Sequence, residues 1–296
     1  MTRRFSFARR FGFALAVCGA AAGCGDNLGS ALDDPGRPLP GKLSALVLDG
    51  LPGYEPAWPL WSSGSDKARL ASIPGDIDTG AADAWRFPLG TLFVKTFAYG
   101  ARRVETRILR LVDTGWTYDV YLWNANSTDA ELADIGASIT VDLVDVDGAP
   151  IQHRVPSRLD CRTCHESGPS TVLGYSAVQL DPAQITHADP ATRDVLGMFQ
   201  GNCVHCHNGG DGVNASFDLR HGVAVANIVN QPTASSASAA GTRVIPGDPE
   251  HSILFLAVSG ESTDPSIKAM PPLGVDRRDT VSIARLRAWI AALPLP

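Results

Sequence analysis

The sequence predicts a multidomain protein: an all-β, antiparallel, sandwich-like N-terminal domain followed by a mainly α-helical C-terminal domain. Three observations predict it. Runs with a two-residue hydrophobic period fill residues 92–143, helical spacing returns at 191–202 and 280–293, and the 296-residue length suits about two domains. A hydrophobic fraction of 44% with 19% charged residues excludes a disordered or collagen-like chain. No run of about eighteen apolar residues follows the N-terminus, which excludes a polytopic membrane protein.

The segments are read in chain order. Arg3, Arg4, Arg9 and Arg10 precede the apolar stretch 11–22, the layout of an export signal over residues 1–23. Ala22-Gly23-Cys24 closes it and resembles the lipobox of bacterial lipoproteins. That resemblance implies cleavage before Cys24 and lipid on its sulfur and new amino group, so the chain is anchored rather than spanning. The alternative is an ordinary secretory peptide with Cys24 incidental. Cleavage removes four arginines and no acid, leaving 21 basic against 31 acidic residues, a net charge of −10. Such a chain is a poor partner for nucleic acid and a good one for a protein with a basic patch.

Residues 24–42 carry Gly, Pro and Asp without periodicity and read as a tether. The β-rich domain is expected over 43–156. Its runs are 92–99, 104–108, 116–122 and 139–143, separated by Gly, Asp and Asn turns. Residues 157–190 form a separate segment around the first cysteine pair, and 191–296 form the last domain. Within it, Val281, Ile283, Leu286, Trp289, Ile290 and Leu293 share a helix face, with Asp279 or Thr280 as N-cap.

The cysteines carry the chemistry. Cys161-Arg162-Thr163-Cys164-His165 and Cys203-Val204-His205-Cys206-His207 both fit C-x-x-C-H, the attachment sequence of c-type haem. Two sulfurs at this spacing reach the two vinyl groups of one porphyrin, and the following imidazole reaches the iron. With 6 Cys and 7 His in the chain, one window matches by chance about once in 100,000, so two matches are not accidental. A zinc ribbon needs its knuckles about 15–20 residues apart, whereas 38 residues separate Cys164 from Cys203. A thioredoxin-like pair needs no trailing histidine, and structural disulfides remain open to an exported chain.

Met270-Pro271-Pro272 follows His207 by 63 residues and offers a thioether as sixth ligand to the iron at the second motif. The first motif has no such loop. Its candidates are His153, His187, His221, His251 and Met198, and without one of them the iron is open. His205, inside the second motif, is expected to face solvent. The aromatics Trp85, Phe87, Phe97, Tyr118, Tyr121 and Trp123 read as sheet core rather than a carbohydrate platform. Arg107 and Arg110 read either as exposed strand residues or as partners of a haem propionate.

Residues 193–293 resemble a class I cytochrome c domain, through Asn202-Cys203, the haem motif, Asp218-Leu219-Arg220, Pro246 to Leu254, the Met-Pro-Pro loop and Trp289-Ile290. The resemblance implies that the first and last helices pack beside the haem, with Met198 and Phe199 against Leu286 and Trp289. Over residues 55–293 the chain also resembles an uncharacterised bacterial family with a β-rich domain ahead of such a cytochrome, through 87–97, 105–107, 116–124 and 155–157.

The expected function is therefore one-electron transfer by an exported, membrane-anchored c-type cytochrome on the periplasmic side of a bacterial membrane. Two haem c groups are expected: one on Cys203 and Cys206, with His207 and Met270 as axial ligands, and one on Cys161 and Cys164, with His165. The alternatives are a dihaem oxidoreductase such as a peroxidase with an open first haem, and a binding module whose β domain recognises a polymer or partner.

Overall fold

A computed structural model describes residues 37–81, 84–210, 217–233 and 240–295. The export signal and Cys24 lie outside the described residues. No helix among the described residues is long and apolar enough to cross a membrane.

Five strands form one antiparallel sheet in sequential order: β1 (Asp66–Ser72), β2 (Leu92–Tyr99), β3 (Arg102–Val112), β4 (Gly115–Trp123) and β5 (Ala130–Leu132). A second, two-stranded sheet pairs β6 (Ile139–Val144) with β7 (Pro150–Val155). The four predicted runs fall on β2, β3, β4 and β6; β1, β5 and β7 are additional.

Alternation along the strands gives the large sheet two buried faces. One face carries Leu92, Val94, Ile108 and Tyr121, covered by Leu43, Leu46 and neighbouring residues of the segment before β1. The other face carries Phe93, Lys95, Phe97, Glu105, Arg107, Leu109, Tyr118 and Val120. The small sheet packs over one end of it, bringing Ile151 to Tyr99 and Val104 and bringing Val155 to Val120. The expected antiparallel, β-rich region is thus present, as a five-stranded and a two-stranded sheet.

Among the described residues six α-helices follow: α1 (Arg158–His165), α2 (Ala177–Leu180), α3 (Pro190–Asn202), α4 (Ala224–Ile228), α5 (Ile253–Ser259) and α6 (Thr280–Ala292). Asp189 caps α3 by accepting from the amides of Ala191 and Thr192, and Asp279 caps α6 by accepting from Ser282. Such caps contribute about 1 kcal/mol each. Helices α3 and α6 share a core of Val195, Leu196, Met198, Phe199, Leu286, Trp289 and Ile290. The Trp289 indole also donates to Thr192 Oγ1 at 2.9 Å, so its polar atom is satisfied inside that core.

The segment before β1 stitches the sheet to the helices. The Trp58 ring lies on α3, so close that a Cβ on Gly197 would sit 2.4 Å from it. Gln179 exchanges hydrogen bonds with the Trp58 backbone at 3.1 Å in both directions. Trp61 donates its amide to Asn202 Oδ1 at 2.8 Å and its indole to the Arg277 carbonyl at 2.6 Å. Residues 57–61, expected to belong to the β domain alone, therefore pack on the helical half. The glycines at 197 and 201 leave α3 open enough for the Trp58 ring and the Trp58 and Pro59 backbone to lie directly on it.

Candidate functional site

Between the second sheet face and the helices lies a cavity of about 840 Å³. That is near the upper end of the usual range for ligand pockets, about 300–1,000 Å³. Both C-x-x-C-H segments open onto it: Cys161, Cys164 and His165 from α1, and Cys203, Cys206 and His207 from the end of α3 and the turn after it. Met270, Pro271 and Pro272 are on its wall as well. Most of the remaining lining is apolar, including Phe93, Val172, Leu219, Leu254 and Ile283.

The first motif is held by local chemistry that the sequence encodes. Ser157 caps α1, accepting from the Asp160 amide at 3.1 Å, while Asp160 Oδ2 accepts from the Ser157 amide at 2.9 Å. Cys161 is then buried against the sheet with Ala71, Phe93, Leu109 and Tyr118. His165 Nδ1 lies 2.7 Å from the Thr171 carbonyl, so it donates its proton there and leaves Nε2 as the ring's lone-pair nitrogen. Burial pushes its pKa down to about 3, against the effect of that hydrogen bond, and Lys95, Arg107 and His205 lower it further. A neutral imidazole with one oriented nitrogen is the ligating form.

The second motif is a tight continuation of α3. Cys203 and Val204 amides bond the Phe199 carbonyl, and the His207 amide bonds the Cys203 carbonyl at 2.8 Å. The His207 ring stacks on Phe217 with centroids 4.4 Å apart, which fixes its plane. Met270 is tied by its amide to the Ala257 carbonyl at 2.9 Å, and its carbonyl accepts from Arg278 at 3.3 Å.

The two motifs touch. The Cys164 thiol neighbours Cys206 and His205, each of which shifts its pKa. Asn208, nearly fully buried, donates to the carbonyls of Ser167 and Val204 at 3.2 Å, latching the chain after one motif to the chain within the other. His205 therefore lines the cavity instead of facing solvent, because α1 supplies a wall that the second motif alone does not reveal.

Of the five candidate sixth ligands for the first motif, Met198 alone lines the cavity, and its side chain is part of the α3–α6 core. His153 is buried elsewhere, with Nε2 2.8 Å from Glu105 and Nδ1 3.3 Å from the Tyr99 hydroxyl. His187 and His251 bond to backbone or to Asp248 at exposed sites, and His221 does not reach the cavity. The two arginines set side by side in the sequence separate: Arg107 is on the cavity wall, while Arg110 points to the other sheet face and donates to the Arg37 carbonyl at 2.9 Å. The aromatics form no surface platform, since Phe97, Tyr118 and Tyr121 are buried and Tyr121 faces away from the other two.

The donor set fits haem better than a bare metal ion. Four cysteines are free thiols, paired at thioether spacing on cavity walls, each pair followed by an imidazole. Among the described residues no group of three or more His, Cys, Asp or Glu side chains converges as a site for a metal ion, a convergence that porphyrin-held iron does not need. Comparison of the chain with protein-family models, with curated proteins and with solved structures found no match.

Proposed function

We propose that this protein is a dihaem c-type cytochrome that passes single electrons between redox partners. The observation that carries the reading is the convergence of two complete C-x-x-C-H segments, from separate parts of the chain, on one mainly apolar cavity with Met270 on its wall. When bound, haem supplies the Fe(III)/Fe(II) couple, a one-electron change needing no bond making at the protein.

Each residue then has a definite task. Cys161 and Cys164 hold one group, and Cys203 and Cys206 the other, through thioethers. His165 and His207 present imidazole nitrogens to the two irons. The Met270 thioether is a neutral soft ligand that favours ferrous iron and raises the potential at the second site. The sheet face and the α3–α6 core exclude water from the ring surfaces, which also sets the potential. Export and anchoring through Cys24 belong to this reading and rest on the sequence alone.

A second reading, an oxidoreductase with an open iron at the first motif, draws support from the absence of His153, His187, His221 and His251 from the cavity wall. Carbon monoxide binding to the reduced protein separates the two: a carrier with both sixth positions filled does not take it up. The test of the proposal is the intact mass of the chain matured in a host that installs c-type haem. Two covalent haems are expected, with Cys161→Ala and Cys203→Ala each removing a different one. Unmodified wild-type cysteines would overturn it.

A further inference from the structure

The sheet face behind the first motif carries an arrangement that β-sheets ordinarily avoid. Arg69 on β1 is the direct cross-strand partner of Lys95 on β2, and Lys95 is the direct partner of Arg107 on β3. Like charges directly opposite each other destabilise a sheet. In the adjoining row on the same face, Lys67, Phe97 and Glu105 are partners. Three cations thus crowd one ring, with Arg107 at 4.3 Å, Lys95 at 5.8 Å and Lys67 at 5.9 Å from the Phe97 centroid.

Local acids answer only part of this charge. Glu55 pairs with Arg69 at 2.7 Å, and Glu105 pairs with Arg107 at 2.5 Å. Lys67 donates to the Ser65 carbonyl at 3.1 Å. Lys95 makes no ion pair among the described residues, and Arg107 Nε is buried with no hydrogen-bond partner. Lys95 and Arg107 are the two members of the cluster that line the cavity, beside Cys161, Cys164 and His165. A cavity wall that brings two half-buried basic side chains together, one with an unused guanidinium donor, suits an anion, which would also favour the protonated lysine.

We propose that Lys95 and Arg107 form a carboxylate-binding subsite contributed by the β domain, and that its occupants are the propionates of the haem attached through Cys161 and Cys164. The inference rests on the dihaem reading. It gives the β domain a task in that reading: the sheet supplies the electrostatic wall of the first haem, and the helical half supplies the second. It also accounts for the cross-strand row, whose repulsion falls once the carboxylates lie against it.

The same chemistry could be met by a free carboxylate entering the cavity, and the experiment has an arm for each source. The protein is matured in cells fed 5-aminolevulinate labelled with ¹³C at its carboxyl carbon, which places the label in the haem propionates. Infrared redox-difference spectra are compared for wild type, Lys95→Met and Lys95→Arg. The labelled carboxylate bands are expected to shift in Lys95→Met and to return towards wild type in Lys95→Arg. At fixed potential the ferrous-to-ferric ratio of the lower-potential haem is expected to fall about tenfold in Lys95→Met, the effect of a unit charge about 10 Å away at an effective dielectric near 20. Labelled bands that are identical in all three proteins, with two haems present by mass, would overturn the subsite while leaving the dihaem reading intact. Lys95-dependent binding of succinate to the fully loaded protein would overturn it in favour of a free anion. A mass showing no haem on Cys161 and Cys164 would instead overturn the reading on which the subsite stands.

Discussion

The Cys164 and Cys206 side chains are near enough to shift each other's acidity, Cys164 upward and Cys206 downward, so the two C-x-x-C-H segments meet through their second cysteines. Nothing in the spacing of the motifs requires this. It follows from α1 packing against the sheet while the turn after α3 is latched to it by Asn208.

That contact makes the four thiols unequal in the haem-free protein. Burial raises Cys161 to about 11 and Cys203 to about 12, and the neighbouring Cys206, with burial, raises Cys164 to about 12. Cys206 alone among the four is lowered, by the neighbouring Cys164 thiol and against its own burial. The thiolate is the nucleophile, so iodoacetamide at mildly alkaline pH should alkylate Cys206 first. Peptide mapping with time checks this, and first reaction at Cys203 would contradict it.

A pH dependence of folding follows from Lys95. Burial, then Arg69, Arg107 and Lys67, push its pKa down from 10.5 to about 7 in the haem-free protein. Between those values the unfolded chain holds a proton that the folded chain has released, so stability rises with pH across the window. Urea unfolding of haem-free wild type from pH 7 to pH 10 should therefore have a more positive slope than that of Lys95→Met. Equal slopes would show that the lysine is as well solvated folded as unfolded.

Gly201 on α3 faces the Trp58 backbone, and a Cβ there would lie 2.4 Å from the Trp58 carbonyl oxygen. Backbone cannot give way as a side-chain tip can, so Gly201→Ala should cost about 1–3 kcal/mol, the usual range for overpacking. The thermal midpoint should fall by several degrees. An unchanged midpoint would mean that residues 57–61 are not seated on the helix.

How much of this was legible in the sequence depends on what each feature needs. Strands β2, β3, β4 and β6 were, because a half-buried strand writes its own two-residue period, and so were α3 and α6 with their contact at Phe199 and Trp289. The two C-x-x-C-H segments and Met270 were picked out by local spacing, and the structure sets them on one cavity wall. Residues 57–61 were missed because a strap has no period, although Gly197 and Gly201, one helical turn apart, were a sign of close backbone approach. The Arg69–Lys95–Arg107 row was missed for a different reason: Arg107 alone was singled out, as a strand residue or a propionate partner, and cross-strand partners appear only once the register is set. The cavity position of His205 depended on α1, far away in sequence.

On the proposed dihaem reading, replacing Met270 by Ala should lower the potential of the second haem, since water or a weaker ligand would no longer favour ferrous iron. Potentiometric titration and the methionine–iron charge-transfer band check it together. An unchanged potential with the band retained would place the ligand elsewhere.

Circular dichroism in the Soret region of the matured protein tests the central claim most directly. On the proposed dihaem reading, two haems held on one cavity, close together where Cys164 and Cys206 meet, would couple their transitions, so the spectrum should be a bisignate couplet that collapses to a single band in Cys161→Ala. A single-signed Soret band in the wild type would contradict two haems sharing this site.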